Sequence, residues 1–360
     1  ISFIFSKIFK KINLHIFPNL EKKSFNYEFK LKKNDVLIKN ILCGYCGTDR
    51  KILSFDMSLF SSAFLDSKKH KKKRIYLGHE LVGKVIDVGS NVKRIKKDDK
   101  VIMDSATRNV DRLKNNLFGG FSNYLVRDQS QLETIDKNLP YDKAILIEPL
   151  ACSLGAIKKI TINKNDKILI IGGGIIGQGI AHLLRYNYGK KIKIFLATNS
   201  HVHFSMINRS IVDKIIFQKD LFDESEKILN SKLKQKFHNK IIENGYDKIF
   251  ECSGSNEIIN KSLRLTSKNA EIVLVGMNMN YVKIDPTPIW HRNLNIKGSL
   301  DFKYKYPDIK KPTLVYIHDI IKNKKLKLNN FKIKKIKINN WKNLFNNNDY
   351  NSIKKALIFN

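Results

Sequence analysis

The stretch KILIIGGGIIGQGIAHLLRYNYG, residues 167–189, decides the fold of this 360-residue chain. Its apolar start is typical of a buried strand, and the segment after the glycines has the apolar spacing of a helix that ends at Gly189. Between them, Gly172, Gly174 and Gly177 match the pattern G-x-G-x-x-G. The pattern is weak alone, but between a strand and a helix it indicates a turn that holds the phosphates of a dinucleotide.

Each part of the glycine turn has a predicted task. Gly172 permits the tight turn, Gly174 lets the backbone approach a pyrophosphate, and Gly177 allows the helix to pack closely on the strand. Ile175 and Ile176 open the helix, where backbone amides and the helix dipole favour phosphate. The alternative is a glycine-rich turn without a ligand, but the flanking strand and helix favour a cofactor-binding turn.

The next strand bears on the choice between NAD and NADP. An acidic residue at its end would hold the ribose hydroxyls of NAD, but IFLATNSHVH (residues 194–203) contains neither Asp nor Glu. Thr198 occupies that place, and Asn199 and Ser200 follow it. These neutral donors can bond a 2′-phosphate, so the sequence predicts NADP on equal terms with NAD. The alternative is that they are ordinary turn residues, since no Arg beside them would clamp a phosphate.

Outside this stretch the chain separates into regions of different pattern. From about residue 155 to 297, apolar runs alternate with helical segments, which predicts a doubly wound parallel sheet. Before this region, short runs broken by Gly, Asn and Asp are typical of a barrel-like or meandering β unit. The later chain is rich in Lys and Asn, with an amphipathic segment at 313–323, and the apolar, basic residues 1–17 are interpreted as the first strands, not a targeting segment. The strands predicted for the parallel sheet are 167–172, 191–197, 213–217, 247–252 and 270–276.

The composition narrows the functional classes. The formal charge is +34, from 67 basic and 33 acidic residues, which raises the question of nucleic-acid binding. Lysine is spread along the whole chain and accompanies other residues with AT-rich codons, so composition bias explains the charge better. No apolar run has the length of a membrane span. With only four cysteines a disulfide scaffold is not implied, and we expect a reducing compartment, the cytoplasm.

Three further motifs carry residue types that bind metals. In CGYCGTDR (residues 43–50), the C-x-x-C spacing fits a redox pair, a structural zinc site or one ligand of a catalytic metal. His79 of GHE lies 33 residues after Cys46, and Glu148 of EPLAC precedes a helix-like run. A thiolate, an imidazole and a carboxylate make a credible zinc site with an open position for water or substrate. A lone His-Glu pair is more often structural.

The motifs together, in their order, resemble the zinc-dependent medium-chain dehydrogenase/reductase family, which includes alcohol, polyol, threonine and glucose dehydrogenases. The likeness runs from about residue 30 to the C-terminus. It rests on CGTD (46–49), GHE with VGSNV and KKDDKV, GGFSNYLV, EPLA, the glycine turn and ECSGSNEIINKSLRLTSKNAEIVLVG (251–276). The resemblance implies a GroES-like β-barrel catalytic domain and a Rossmann domain with a doubly wound parallel sheet. The implied limits are 1–155 for the first part of the catalytic domain, 156–297 for the Rossmann domain and 298–360 for the return to the catalytic domain.

The resemblance also implies the tasks of individual residues. In the polyol, threonine and glucose branch, the residues matching Cys46, His79 and Glu148 bind the catalytic zinc. The residue matching Glu80 is close enough to join or exchange, and Thr48 matches the hydroxyl residue that contacts the alcohol and begins proton removal. The implied reaction transfers a hydride between a secondary alcohol of a polyol, sugar or related hydroxy compound and NAD(P). A homodimer or homotetramer is implied as well.

Three departures from the family pattern limit what is carried over. The segment 104–118, where many relatives bind a structural zinc with four cysteines, contains no cysteine, so we expect one catalytic zinc and no structural zinc. Arg50 and Lys51 stand where relatives often have a proton-passing His. An insertion at 59–74 lengthens the interval from the cysteine to the histidine, which leaves the substrate open. Cys43 has no second C-x-x-C to join and is interpreted as a small buried residue near the site.

Two other functions stay open from the sequence. A zinc-free reductase of the same superfamily, acting on enones or quinones, is disfavoured because all three ligand types are retained. A basic nucleotide- or nucleic-acid-binding protein without catalysis would bind RNA or DNA with a steep dependence on salt. We expect a small-molecule alcohol, polyol or sugar as the partner, and neither a membrane nor nucleic acid.

Overall fold

The computed structural model describes residues 31–53, 77–104, 119–236, 239–278, 281–300, 302–345 and 352–359. The first strands predicted within residues 1–17, the insertion at 59–74 and residues 105–118 lie outside the described residues. The chain divides into two compact units. The first unit contains the described residues up to Glu148, Tyr304–Lys322 and those from Ile333 onward, and the second unit contains Pro149–Lys303 and Asn323–Lys332. The domain limits at 155 and 297 stay a prediction.

The elements of both units follow in chain order. The strands are β1 (Asp35–Gly44), β2 (Glu80–Val88), β3 (Lys100–Met103), β4 (Tyr124–Asp128), β5 (Leu132–Ile135), β6 (Lys167–Ile171), β7 (Lys193–Thr198), β8 (Lys214–Phe217), β9 (Leu233–Lys236), β10 (Asn239–Ile242), β11 (Tyr246–Glu251), β12 (Thr266–Leu274), β13 (Asn295–Gly298), β14 (Ile333–Lys337) and β15 (Lys354–Ile358). The α-helices are α1 (Gly47–Leu53), α2 (Tyr141–Ala144), α3 (Ile147–Ile157), α4 (Ile175–Tyr188), α5 (His201–Met206), α6 (Leu221–Leu229), α7 (Asn256–Arg264), α8 (Thr287–His291) and α9 (Thr313–Lys322).

A seven-stranded sheet forms the body of the first unit. Its strand order is β14-β15-β1-β2-β3-β5, with β4 also paired to β1. β1 pairs antiparallel with β2, β4 and β15, and only β14 and β15 pair in parallel. Alternate residues of β1 are buried, including Val36, Ile38 and Leu42, because one face of the strand packs into the core. The predicted β unit is confirmed.

A six-stranded sheet forms the body of the second unit, in the order β13-β12-β11-β6-β7-β8. All of its strand pairs are parallel, which confirms the predicted doubly wound class. The five strands predicted from the sequence are confirmed as β6, β7, β8, β11 and β12. The edge strand β13 was not predicted, because its sequence NIKG is short, polar and largely exposed.

Helix α4 follows the glycine turn as predicted. Gly174 is its N-cap, and Gly189 closes it with a φ of +57°, a conformation that glycine adopts without strain. Its buried face includes Ile180, Leu183 and Leu184. The amphipathic segment at the start of the late region forms α9. Among the described residues, no helix combines the length and the apolar character needed to cross a membrane.

Candidate active site

Cys46 lies in the short link between β1 and α1. Asp49, in the first turn of α1, is fully buried and accepts hydrogen bonds from two backbone amides. The Cys46 amide donates to one carboxylate oxygen at 2.9 Å, and the Gly78 amide donates to the other at 2.9 Å. One carboxylate therefore ties the link that carries Cys46 to the segment that precedes His79. Asp49 belongs to the CGTD motif, but the motif alone does not indicate this role.

The structure brings Cys46, His79 and Glu80 together. One ligand atom of each, a sulfur, an imidazole nitrogen and a carboxylate oxygen, lies within 4.8 Å of the other two. His79 and Glu80 are buried and Cys46 is half-buried. The pairing of β1 with β2 sets this geometry, because it places Glu80 opposite Gly44, close to the end of β1. We name these three residues the metal-binding group.

Other residues predicted for this site lie around the metal-binding group. Glu148 is buried in the first turn of α3 but does not belong to the group of atoms within 4.8 Å, so its place as a ligand stays a prediction. Thr48 Oγ1 lies 3.7 Å from Cys46 Sγ, within reach of the same centre. Arg50 is exposed in α1.

Cys43 is a buried packing residue beside the metal-binding group. Its side chain has no exposed surface, and all four cysteines of the chain carry free thiols. A Cβ on Gly78 would lie 2.9 Å from Cys43 Sγ, and one on Gly120 would lie 2.6 Å from it, so both glycines leave room for the sulfur. Burial, followed by the charges of Asp49 and Glu80, raises the pKa of the Cys43 thiol well above its usual value. The C-x-x-C motif therefore contains one half-buried and one enclosed cysteine.

Lys354 is a residue of this site that the sequence analysis missed. It lies on β15, and its ammonium forms an ion pair with the Glu80 carboxylate. Each of the two side chains is 2% exposed. A lysine on the face of β15 that also carries the buried Ala356 breaks the expected alternation of apolar and polar residues. That break was the signal in the sequence, but only the strand order shows that its partner is Glu80.

The charges around the metal-binding group stabilise positive charge there. Burial acts to lower the pKa of His79, but the Cys46 sulfur and nearby carboxylates, Glu148 among them, outweigh it and raise the pKa well above its usual value. Burial also acts to lower the pKa of Lys354, and Glu80, Cys46 and Glu148 again outweigh it and raise the pKa. Thiolate, imidazole and carboxylate are the donors that zinc takes in proteins, so the residues present fit a zinc ion.

The glycine turn of the second unit has the geometry of a close strand-to-helix junction. Gly172 has a φ of +123°, which few side chains tolerate, and a Cβ on Gly177 would contact the Gly172 carbonyl oxygen. At Gly174, by contrast, a Cβ would meet no atom within 4 Å. The space beside Gly174 is therefore open. Contact of the three glycines, Ile175 and Ile176 with a cofactor stays a prediction.

The end of β7 presents the three residues predicted to face the cofactor ribose. Thr198 is buried, and its hydroxyl accepts a hydrogen bond from the Ser200 amide at 3.2 Å. The Ser200 hydroxyl caps α5 by accepting from the His203 amide at 3.2 Å, and Asn199 is exposed. A Cβ on Gly173 would lie 2.8 Å from Thr198 Oγ1, so the turn lies directly against Thr198. These contacts are those of turn residues.

A buried carboxylate at the end of β11 organises the next loop of the same sheet edge. Glu251 accepts from the Ser253 amide at 2.7 Å, from the Ser253 hydroxyl and from the Gly254 amide at 3.0 Å. Burial raises the pKa of Glu251 in spite of these bonds. The neighbouring Cys252 lies against Gly172, since a Cβ on Gly172 would be 3.0 Å from the Cys252 carbonyl carbon. Glu251 begins the motif ECSGS, but the motif alone does not indicate this role.

Two family models match the chain. The model of the alcohol dehydrogenase GroES-like domain matches residues 32–137, and that of zinc-binding dehydrogenase matches residues 222–311. Together they cover more than half of the 360 residues. The metal-binding group lies within the first match, whereas Glu148 and the glycine turn lie between the two.

Named relatives and a solved structure are similar along most of their length. The chain is 26% identical to D-arabinitol dehydrogenase 1 of Uromyces fabae over 293 residues, which are 76% of this chain and 77% of that protein. It is 23% identical to (R,R)-butanediol dehydrogenase of Bacillus subtilis (strain 168) over 301 residues, 78% and 82% of the two chains. A structure from Sinorhizobium meliloti 1021 bound to NADP matches with a TM-score of 0.71 at 21% identity, covering 92% of this chain and 94% of that one.

These comparisons agree with the architecture. The seven-stranded sheet of the first unit corresponds to the GroES-like match, and the doubly wound sheet of the second unit is the Rossmann part of the fold. The order of the motifs and the named relatives point the same way. The chain therefore belongs to the zinc-dependent medium-chain dehydrogenase/reductase family.

Proposed function

We propose that this protein is a zinc-dependent dehydrogenase that transfers a hydride between a secondary alcohol and NAD(P). The observation that carries the proposal is the metal-binding group of Cys46, His79 and Glu80, whose ligand atoms lie within 4.8 Å of one another. The substrate class is a polyol, a sugar or a related hydroxy compound. The names of two relatives, a D-arabinitol dehydrogenase and a butanediol dehydrogenase, support this class.

The residues of the proposed active site have different roles. Cys46, His79 and Glu148 would hold one zinc ion per chain, with Glu80 able to join or exchange. A zinc ion held there would supply a Lewis acid that polarises the substrate oxygen and lowers its pKa. Asp49 would hold the site in shape, because its carboxylate binds the backbone amides of Cys46 and Gly78.

Thr48 is the residue proposed to take the first step of proton removal. Its hydroxyl lies 3.7 Å from Cys46 Sγ and can both accept and donate a hydrogen bond. Arg50 is exposed in the same helix, at the place where relatives often have a proton-passing His.

The second unit is proposed to bind the dinucleotide. The open space beside Gly174 and the amides of Ile175 and Ile176 would receive the pyrophosphate at the N-terminus of a fourteen-residue helix. Asn199 and Ser200 would face the adenosine ribose without a carboxylate to repel a 2′-phosphate. The NADP-bound structural neighbour is consistent with this arrangement.

The test combines metal analysis with an activity panel. Purified wild-type protein should contain one zinc per chain, and Cys46→Ala should contain little, because a thiolate ligand is lost. Polyols, aldoses, threonine and simple alcohols, each with NAD and with NADP, should reveal oxidation by the wild type and none by Cys46→Ala. Oxidation of these alcohols by metal-free wild-type protein would contradict the proposal.

We also propose that the protein forms a homodimer or homotetramer, by likeness to its family. Size-exclusion chromatography with light scattering measures the mass of the assembly directly. A monomer at all concentrations would contradict this part of the proposal and would leave the assignment of the metal unaffected.

A further inference from the structure

The Lys354–Glu80 ion pair is deeply buried. Both side chains are 2% exposed, whereas those of the Lys248–Glu271 pair, with 9% and 14%, retain more contact with water. A buried ion pair adds little stability, because the loss of water around both charges offsets their attraction. Its position beside the metal-binding group therefore points to a task other than stability.

Glu80 belongs to two groups at once. Its carboxylate contacts the Lys354 ammonium, and it also offers an oxygen within 4.8 Å of the ligand atoms of Cys46 and His79. An ammonium and a divalent cation attract the same carboxylate and repel each other. A tighter hold of Glu80 by one of them therefore weakens its bond to the other, and the effect is reciprocal.

The sheet keeps the ammonium of Lys354 in place. β15 carries Lys354 and β2 carries Glu80. β1 lies between these two strands, and its last residue, Gly44, pairs with both of them. A Cβ on Gly44 would contact Glu80 Oε2 and lie 2.5 Å from Lys354 Cε, so the glycine makes room for the pair. The ammonium also donates to the Tyr45 carbonyl oxygen at 3.5 Å. Three neighbouring strands thus hold both partners.

We propose that Lys354 is a positioning residue for the metal. It retains the Glu80 carboxylate, prevents it from becoming a permanent zinc ligand, and so keeps one coordination position open to the substrate. The inference rests on the proposed function, because it requires a metal bound by Cys46 and His79. Glu80 is then a reserve carboxylate, held by Lys354 within reach of the metal-binding group.

The test measures zinc affinity by competition with a chromophoric chelator, for the wild type and for Lys354→Met. Without the ammonium, Glu80 is released towards the metal and a repelling charge is gone, so zinc affinity should rise by about tenfold or more. The cobalt(II)-loaded variant should show shifted visible absorption bands, because its ligand set gains a carboxylate. Lys354→Arg keeps a cation and should retain most of the wild-type behaviour.

Two further variants separate this effect from a general loosening of the fold. In a Glu80→Gln background, adding Lys354→Met should change zinc affinity far less than it does in the wild type, because the carboxylate that it releases is absent. Lys248→Met breaks another buried Lys–Glu pair, in the second unit, and should leave zinc affinity unchanged. If Lys354→Met does not fold, Glu80→Gln alone tests the proposal, since its cobalt bands should match those of the wild type.

The outcomes distinguish this inference from the function on which it rests. A wild type that binds zinc, with a Lys354→Met variant of equal or lower affinity and unchanged cobalt bands, would overturn the inference alone. Cobalt bands that change in Glu80→Gln would do the same, because they would make Glu80 a permanent ligand. A wild type that binds no zinc would overturn the inference and the proposed function together.

Discussion

The metal-binding group and the glycine turn are assembled in opposite ways. The first takes its residues from distant parts of the chain, with Cys46 after β1, His79 just before β2 and Glu80 at its start, and Glu80 pairs with Lys354 on β15. The second is built within one strand–turn–helix segment, residues 167–189, and its closest contact joins Gly177 to the Gly172 carbonyl oxygen. A site of the first kind depends on the order of strands in a sheet, whereas a site of the second kind depends on local backbone conformation.

The two regions also differ in charge. The metal-binding group and its neighbours are buried ionisable side chains, among them Asp49, Glu80 and Lys354. The glycine turn contains only glycine and isoleucine, and nearby Thr198 is neutral. Substitutions in the first region should therefore change metal affinity and stability together, whereas the glycine turn allows the two kinds of effect to be separated.

The largest expected effect concerns Gly177, at the closest contact of the turn. A Cβ on Gly177 would contact the Gly172 carbonyl oxygen, and moving this backbone atom aside would cost considerable free energy. We expect Gly177→Ala to lower the free energy of unfolding by about 3 kcal/mol and to abolish NAD(P) binding. Denaturant unfolding and a fluorescence titration with NADPH measure the two quantities.

Gly174→Ala is the matched variant, since its Cβ would meet no protein atom within 4 Å. It should change stability by less than about 1 kcal/mol, yet weaken cofactor binding, because the added methyl group occupies the space that a pyrophosphate needs. Equal losses of stability in both variants, or unchanged cofactor affinity in Gly174→Ala, would contradict the assignment of the turn.

The next effect concerns Asp49 and tests whether the first region depends on one carboxylate. Asp49→Asn replaces an acceptor oxygen by an amide donor, so one of the two buried amides of Cys46 and Gly78 loses its partner. We expect the free energy of unfolding to fall by about 2 kcal/mol and zinc affinity to fall with it. Asp87→Asn, at an exposed position that bonds the adjacent Val88 amide, is the control and should leave both unchanged.

A smaller effect, seen only at acid pH, concerns His182 on α4 in the second unit. Burial lowers the pKa of His182 from 6.5 to about 4, so the folded protein holds it neutral. The neutral ring contributes its full stability above pH 6.5, and this contribution is lost as pH falls towards 4. At pH 5 the loss is about 2 kcal/mol. His182→Leu should remove this part of the pH dependence of the free energy of unfolding. An unchanged slope between pH 7 and 5 in His182→Leu would contradict the assignment.

The smallest effect concerns Ser200, which caps α5 at the proposed ribose site. Ser200→Ala removes the bond from the His203 amide and should lower the free energy of unfolding by about 1 kcal/mol. If Ser200 also faces a 2′-phosphate, affinity for NADP should fall while that for NAD stays the same. Ser205→Ala, which removes an exposed hydroxyl within the same helix, is the control. Equal changes for both cofactors would assign Ser200 to the cap alone.

Much of the second unit could be predicted from sequence because its signals are local. Gly172, Gly174 and Gly177 lie within six residues, and the strands around them are continuous apolar runs whose pattern follows from burial on both faces. The exceptions are the edge strand β13 and the hairpin of β9 and β10, which were not predicted. Both are short and mostly polar, so their periodicity is weak.

Less of the first unit could be predicted from sequence, because its contacts join residues that are far apart in the chain. Residue type and motif order predict Cys46 and His79 as metal ligands, the family resemblance adds Glu80, and the structure places the three together. The ion pair of Lys354 with Glu80 depends on β15 lying next to β1, which no local pattern specifies. Asp49 was in view within CGTD, but its task required the amide of Gly78, 29 residues away.

The Asp49 carboxylate has a consequence for how the protein acquires its metal. Its bonds to the Cys46 and Gly78 amides order both ligand-bearing segments without any metal, so binding need not supply the free energy of ordering them. This distinguishes the site from small zinc domains that are unfolded until the ion binds. The empty protein should remain folded after chelation, retain its circular dichroism and recover zinc within the time of mixing. For the proposed zinc enzyme, preorganisation by a single buried carboxylate therefore predicts that the folded chain can lose and regain its metal.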